Sequence, residues 1–337
     1  MKKNKIEINY TSLHNTESIR VIYRNFCFKK KIIKSKLYKI FFLLILIILF
    51  ISLFIISKIH IKIFQYFSYN LKKKKNKFIQ YFFKEKESNE NIWKQEKLVI
   101  HSLGEYNNTA YTNSYEGLNY YHIIKKMNLI EADFLLTKDE HIICAHDYEI
   151  FKYKIPNFTE FKQSRTRGNL TPITFEDLVK FMYTYKELYI ITDTKYTDIL
   201  GIEKEFNEMT TILNKYIDVN KRFIIEIYNE KMYEFLKLKK YPFNHFLFTL
   251  YQRLNYPYNY TDMENIFKYC NEKHIDGIIM WDYWFNERIS NFSHIYSIPV
   301  YLHTVNDIQK IIKLLNQGAK AIFTDNITND ILEKYLK

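Results

Sequence analysis

The chain is poor in the residues that punctuate or staple a fold. Six glycines and five prolines in 337 residues exclude a collagen-like protein or a Gly/Pro-rich linker. The three cysteines, Cys27, Cys144 and Cys270, lie far apart, and no CxxC or Cys/His cluster occurs. A zinc ribbon and a disulfide scaffold are therefore both excluded. No GxGxxG is present, so nothing supports a dinucleotide-binding doubly wound sheet. What the chain does have is core material: 47 % hydrophobic and 18 % aromatic residues. That is too much for a disordered protein, and the length allows one large domain or two smaller ones.

The net charge of +13 would suit a nucleic-acid binder or a membrane-surface protein, until it is divided. Residues 1–97 contain 22 Lys+Arg, six Glu and no Asp, whereas residues 98–337 carry −3. The basic excess thus surrounds residues 40–57, IFFLLILIILFISLFIIS, an 18-residue run without charge. As a helix it spans about 27 Å, close to a bilayer core of roughly 30 Å. Summed residue by residue, insertion is favoured by about 5 kcal/mol at the upper end. Residues 1–39 are read as a basic N-terminal segment and 40–57 as an uncleaved transmembrane helix. Residues 58–97 are read as a charged tether whose Lys72, Lys73, Lys74, Lys75 and Lys77 face anionic lipid. The cations immediately before the span favour a cytoplasmic N-terminus, with residues 98–337 on the outer side. Nucleic acid is not expected as a partner, and no protein partner is inferable.

Residues 98–337 alternate short β-branched or aromatic runs with helix-length segments. Strands are predicted over 98–102, 129–135, 141–145, 187–193, 222–228, 244–250, 276–280, 299–303 and 320–324. Helices are predicted over 114–127, 174–184, 199–217, 229–239, 262–273, 284–292 and 306–317. Buried, non-alternating strands separated by helices mean a parallel sheet with helices outside. The pair 129–135 and 141–145 reads as a hairpin turning at Lys138, Asp139 and Glu140. That leaves eight βα units in about 240 residues, an α/β fold of the (β/α)8 TIM-barrel type. The polar stretch 146–173 reads as an insertion over one end of the barrel.

Ionisable residues gather where these strands end. His101 ends the first, and Glu131 and Asp133 lie on one face of the second. His146 and Asp147 follow the hairpin, and Asp193 and Lys195 end the next strand. Glu226, Tyr251, Trp281, His303 and Asp325 follow on the remaining strands. The C-terminal ends of the strands are where a barrel of this type carries its active site.

In these residues the sequence resembles the glycerophosphodiester phosphodiesterase family. The resemblance rests on His101, on YTNSYE (111–116), on IEADFLLTKDEHIICAHD (130–147) and on ITDTK (191–195). Weaker echoes are YLHTVND (301–307) and GAKAIFTD (318–325). It covers residues 98–330 and implies that Glu131, Asp133 and Asp193 bind one divalent cation, Mg²⁺ or Ca²⁺. It also implies that His101 and His146 form an acid/base pair and that Lys195 contacts phosphate. Asn113, in the matched segment, and Glu226 and Trp281, by their place at the same mouth, are expected to face the substrate. The family's His-Arg-Gly is here His101, Ser102, Leu103, Gly104, and its Pro-Glu-Asn is Tyr111, Thr112, Asn113. The third metal ligand, usually Glu, is Asp193. That acidic set is also similar to the sphingomyelinase D-like relatives on the same barrel.

The chemistry agrees with the residue types. Three carboxylates suit a hard cation that neutralises phosphoryl oxygens. Histidine is the side chain suited to proton exchange near neutral pH, so two of them can serve nucleophile and leaving group. The function expected is hydrolysis of glycerophosphodiesters to glycerol phosphate and an alcohol, by way of a cyclic phosphate or directly by water. The alternatives are a phospholipase D-like lyase acting on lysolipid or sphingolipid, and an inactive membrane-tethered barrel that binds without catalysis.

Overall fold

A computed structural model describes residues 89–251 and 259–336. The expected transmembrane helix and nearly all of the tether lie outside the described residues. Among those described, no helix is long and apolar enough to cross a membrane. Residues 87–337 form one compact unit.

All nine predicted strands are present: β1 Leu98–Ile100, β2 Leu129–Leu136, β3 Ile142–Cys144, β4 Tyr189–Asp193, β5 Phe223–Ile227, β6 His245–Thr249, β7 Gly277–Trp281, β8 Val300–His303 and β9 Ala321–Thr324. Eight of them run parallel in the order β1-β9-β8-β7-β6-β5-β4-β2, and a β1–β2 pairing closes the barrel. β3 pairs antiparallel with β2, Phe134 opposite Cys144, and is the outer arm of the predicted hairpin. Closure removes every strand edge except that of β3.

The helices are α1 Tyr115–Asn119, α2 Phe158–Gln163, α3 Phe175–Thr184, α4 Ile199–Leu213, α5 Glu230–Lys239, α6 Tyr260–Glu272, α7 Glu287–Tyr296, α8 Ile308–Asn316 and α9 Asn329–Leu336. α2 and α9 were not anticipated. α2 interrupts the insertion read as irregular, where Asn157 and Glu160 form a reciprocal capping box. The first helical segment divides into α1 and a π-helical turn, Tyr120–Ile124. Gly117 sits where any Cβ would meet the Leu103 carbonyl oxygen at 2.5 Å, which lets α1 lie close under the β1 loop.

Alternation along each strand divides the side chains into two cores. Outward residues such as Ile130, Ile190, Ile225 and Phe248 join the helices in the larger one. Inward residues fill the lower barrel: Val99, Leu129, Tyr189, Ile191, Ile224, Leu247, Ile279, Tyr301, Ala321 and Phe323. Trp93 belongs to this inner core. It comes from the 3₁₀ turn Asn89–Gln95, is 1 % exposed, and stacks on Tyr301 with ring centroids 6.4 Å apart. Lys94 of the same turn pairs with Asp276 at 2.5 Å. The end of the expected 58–97 tether therefore belongs to the domain, because an indole at its centre closes the base of the barrel.

Candidate active site

One step further along each strand, the inward positions change from apolar to polar. Above Val99 comes His101, above Leu129 come Glu131 and Asp133, and above Ile191 comes Asp193. Above Ile224 comes Glu226, above Ile279 Trp281, above Tyr301 His303, and above Phe323 Asp325. The period of two places them all on the inner face, at the C-terminal mouth. Glu131 pairs across from Ile191 and Asp133 from Asp193, so the parallel register of β2 and β4 brings three carboxylates together. Glu131, Asp133 and Asp193 each offer an oxygen, and these oxygens lie within 4.8 Å of one another.

Three like charges held this closely in a buried place need compensation. Burial and the neighbouring Asp133, Asp193 and Glu226 push the Glu131 carboxyl well above the ordinary range. Its Oε1 is buried without a hydrogen-bond partner. Burial would raise Asp133 too, but Lys195, His101 and His146 outweigh it and hold the carboxyl far below its ordinary value. The Lys195 ammonium bridges Asp133, at 2.6 Å, and Asp193. Burial acts to lower Lys195, and the two carboxylates reverse this and raise it. A divalent cation fits this donor set: all three donors are oxygen, one is unpartnered, and the local charge is negative.

Both histidines are oriented by an aspartate. His101 Nδ1 lies 2.7 Å from Asp325 Oδ1, and His146 Nδ1 lies 2.9 Å from Asp147 Oδ2. An ionised carboxylate only accepts, so in each ring Nδ1 carries the proton and Nε2 is free to exchange one. His101 Nε2 stands 3.9 Å from Glu131 Oε2, at the edge of the acidic cluster. Asp325 is held in turn by Asn306, whose Nδ2 donates to its Oδ2 at 2.6 Å. Tyr111 stands between the two histidines, its ring centroid 4.7 Å from His101 and 5.0 Å from His146.

The other expected residues divide. Asn113 was expected to face substrate. Its amide bonds Asp133, Nδ2 donating to Oδ2 at 2.7 Å and Oδ1 accepting from the Asp133 N–H at 3.1 Å. Lys195 lies among the carboxylates at the centre of the site. Glu226 is buried, accepts from Thr249 at 2.7 Å and Tyr251 at 3.2 Å, and is raised by burial and by Asp193. Trp281 lines the mouth with Tyr251, Tyr283 and His303, its centroid 5.1 Å from Tyr251.

Sequence reasoning missed two participants. Ser102, where the family pattern has Arg, donates its N–H to Glu131 Oε2 and its hydroxyl to Asp133 Oδ2, both at 2.6 Å. This needs φ of 49° at Ser102 and 58° at Leu103, a left-handed pair in which Gly104 closes the turn on the His101 carbonyl. Arg167 reaches the same mouth from the insertion and donates to Asp147 at 2.8 Å and to Glu149 at 2.6 Å. A positive φ at a non-glycine residue has no sequence signature, whereas the Arg-Gly-Asn turn at 167–169 was readable as an ordered bend.

No family model and no curated protein matches the chain. Solved structures do. A glycerophosphodiester phosphodiesterase from Parabacteroides distasonis superposes with TM-score 0.58 at 18 % identity, covering 72 % of this chain and 99 % of that one. A phosphodiesterase from Oleispira antarctica, solved with its product sn-glycerol-3-phosphate, gives 0.56 at 15 %, covering 72 % and 98 %. The Thermotoga maritima glycerophosphodiester phosphodiesterase gives 0.51 at 16 %, covering 71 % and 97 %. The closed barrel of residues 98–336, with its β2–β3 hairpin, has the fold in which these glycerophosphodiester phosphodiesterases are built.

Proposed function

We propose that the chain is a metal-dependent glycerophosphodiester phosphodiesterase, anchored to a membrane by residues 40–57 with the barrel on the outer side. The carrying observation is the mouth itself: three carboxylates within 4.8 Å, flanked by two histidines whose Nδ1 atoms are each held by an aspartate. The structures of like fold, one holding glycerol phosphate, support the substrate class.

Glu131, Asp133 and Asp193 would hold the cation, which supplies charge neutralisation for the phosphoryl oxygens. Ser102 and Asn113 keep Asp133 pointed at that position by hydrogen bonds at 2.6 and 2.7 Å. Lys195 places a further positive charge where the transition state gains negative charge. One histidine takes a proton at Nε2 from the attacking hydroxyl, and the other returns one to the leaving alcohol. Asp325 and Asp147 stabilise whichever imidazolium forms.

The test is a panel of glycerophosphodiesters with Mg²⁺ or Ca²⁺. Release of glycerol phosphate or cyclic phosphate that EDTA abolishes, and that His101→Ala and His146→Ala each remove, is the expected result. Turnover that survives both substitutions would refute the assignment. Cleavage of intact lysolipid, with glycerophosphodiesters untouched, would establish the lyase reading instead.

A further inference from the structure

The two ends of the barrel carry opposite charge. The helix-to-strand connections at its base are 125–128, 185–188, 214–222, 240–244, 273–276, 297–299 and 317–320. Together they contain nine Lys+Arg against three Asp+Glu. Among the described residues, the strand-to-helix connections at the mouth contain seven against ten, and the strand ends there add Glu131, Asp133, Asp193 and Glu226. A domain whose total is −3 therefore has a cationic excess in its basal connections, although Lys125, Lys215, Lys221 and Lys273 there pair with Asp330, Glu176, Asp218 and Glu234.

Hydrogen bonds tie neighbouring parts of this pole together. Asn220 donates to the Pro242 carbonyl between two basal connections, and Asn271 near the end of α6 donates to the Tyr296 carbonyl at the end of α7, each at 2.8 Å. A groove of about 460 Å³ opens there, lined by Tyr183, Lys186, Ile217, Asp218, Lys221, Arg222 and His245, with Lys221 paired to Asp218 at 2.9 Å. Arg222 is a fixed cation, donating to the carbonyls of Met182, Tyr185 and Leu188, which hold it without neutralising it. Large aliphatic side chains stand out of the same pole. Ile217 is 82 % exposed and Leu238 78 %, and Ile124 and Ile295 are exposed at the ends of other helices. The chain enters the domain at this pole, through the turn that carries Trp93.

Cations around protruding aliphatic groups match an interface with anionic head groups over acyl chains. We infer that the base of the barrel rests on an anionic lipid surface, with the groove over head-group phosphates and Ile217 and Leu238 reaching between lipids. The catalytic mouth then faces water and takes its substrate from solution. This inference stands independently of the reaction assigned to the mouth.

The test uses residues 87–337, a compact unit with its own closed core, sedimented with vesicles of phosphatidylcholine alone or with 30 % phosphatidylglycerol. Binding to the anionic vesicles only, released by 0.5 M NaCl, is expected. The double variant Lys186→Glu/Lys221→Glu should lower the partition at least tenfold, and Ile217→Asp about tenfold. Lys152→Glu/Lys154→Glu, on the insertion at the mouth, should leave it unchanged. Circular dichroism establishes that each variant is folded, and the lysine pair alone suffices if Ile217→Asp is not. Several results would overturn the inference: no binding, equal binding to neutral vesicles, or retention by the lysine variant. Loss confined to the Lys152/Lys154 variant would place the mouth on the lipid. Salt-sensitive binding of a duplex oligonucleotide without vesicle binding would make the basic pole a nucleic-acid surface.

Discussion

The base and the mouth of this barrel are made from the same strands, yet they obey different rules. At the base, inward positions are apolar, Trp93 fills the axis, and the half-buried acid Asp276 is satisfied by Lys94, His245 and the Phe246 N–H. At the mouth, Glu131, Asp133, Asp193 and Glu226 crowd together, and Glu131 Oε1 has no partner. Like-charge repulsion of this kind persists only when surrounding structure overrides it. The closed, well-filled base supplies that support, and a (β/α)8 barrel can divide stability from chemistry along its axis.

The largest effect should separate the two ends cleanly. His101→Ala is expected to lower kcat by about 10³-fold, within the range for losing a general acid or base, while the melting temperature changes little. Steady-state kinetics with a thermal melt checks both halves. Trp93→Ala should do the converse, costing about 3–5 kcal/mol in denaturant unfolding through the cavity it leaves, with kcat of the folded fraction near wild type. If Trp93→Ala slows the chemistry as much as His101→Ala, the separation of the ends fails.

Glu131→Gln tests whether the mouth is a site of conflict. Removing one of the crowded acids should stabilise the metal-free protein by about 1 kcal/mol while abolishing activity. A clear loss of stability would mean that Glu131 is well accommodated and that its unpartnered oxygen carries no cost. The smallest effect belongs to acid titration of the base. Burial raises Asp276, but His245 and Lys94 outweigh it and hold its carboxyl below the ordinary value of about 3.9. A depressed folded value means the stabilisation is present above the unfolded pKa and is lost as pH falls through the folded one. Asp276→Asn should therefore be less stable at neutral pH and show a shallower fall below about pH 4. Equal slopes would remove Asp276 from the acid response.

Much of this was legible because the signals are local. A β-branched run bounded by turns reads as a strand wherever it occurs, and all nine runs did form strands. Glu131 and Asp133 share a face because strands have a period of two, whatever the tertiary fold. His101, His146, Asp193 and Lys195 were placed at strand ends by counting alone. The bonds of Asn113 to the amide and carboxylate of Asp133 were not legible, because Asp133 is 20 residues away on β2. Ser102 looked like a loss, the place of a missing Arg, until its left-handed backbone turned both its donors onto the carboxylates.

By itself the sequence determined the alternation of strands and helices, the apolar run at 40–57, the hairpin, and which residue types stand at each strand end. Backbone sterics and side-chain periodicity act over a few residues and suffice for these. Only the tertiary structure decided that Asp325 holds His101 across 224 positions, that Arg167 holds Asp147, and that Trp93 closes the base. It also decided that nine scattered cations share one pole. Barrel closure is the reason: it turns separation along the chain into neighbourhood around a ring, and that mapping exists only once β1 meets β2 and β9.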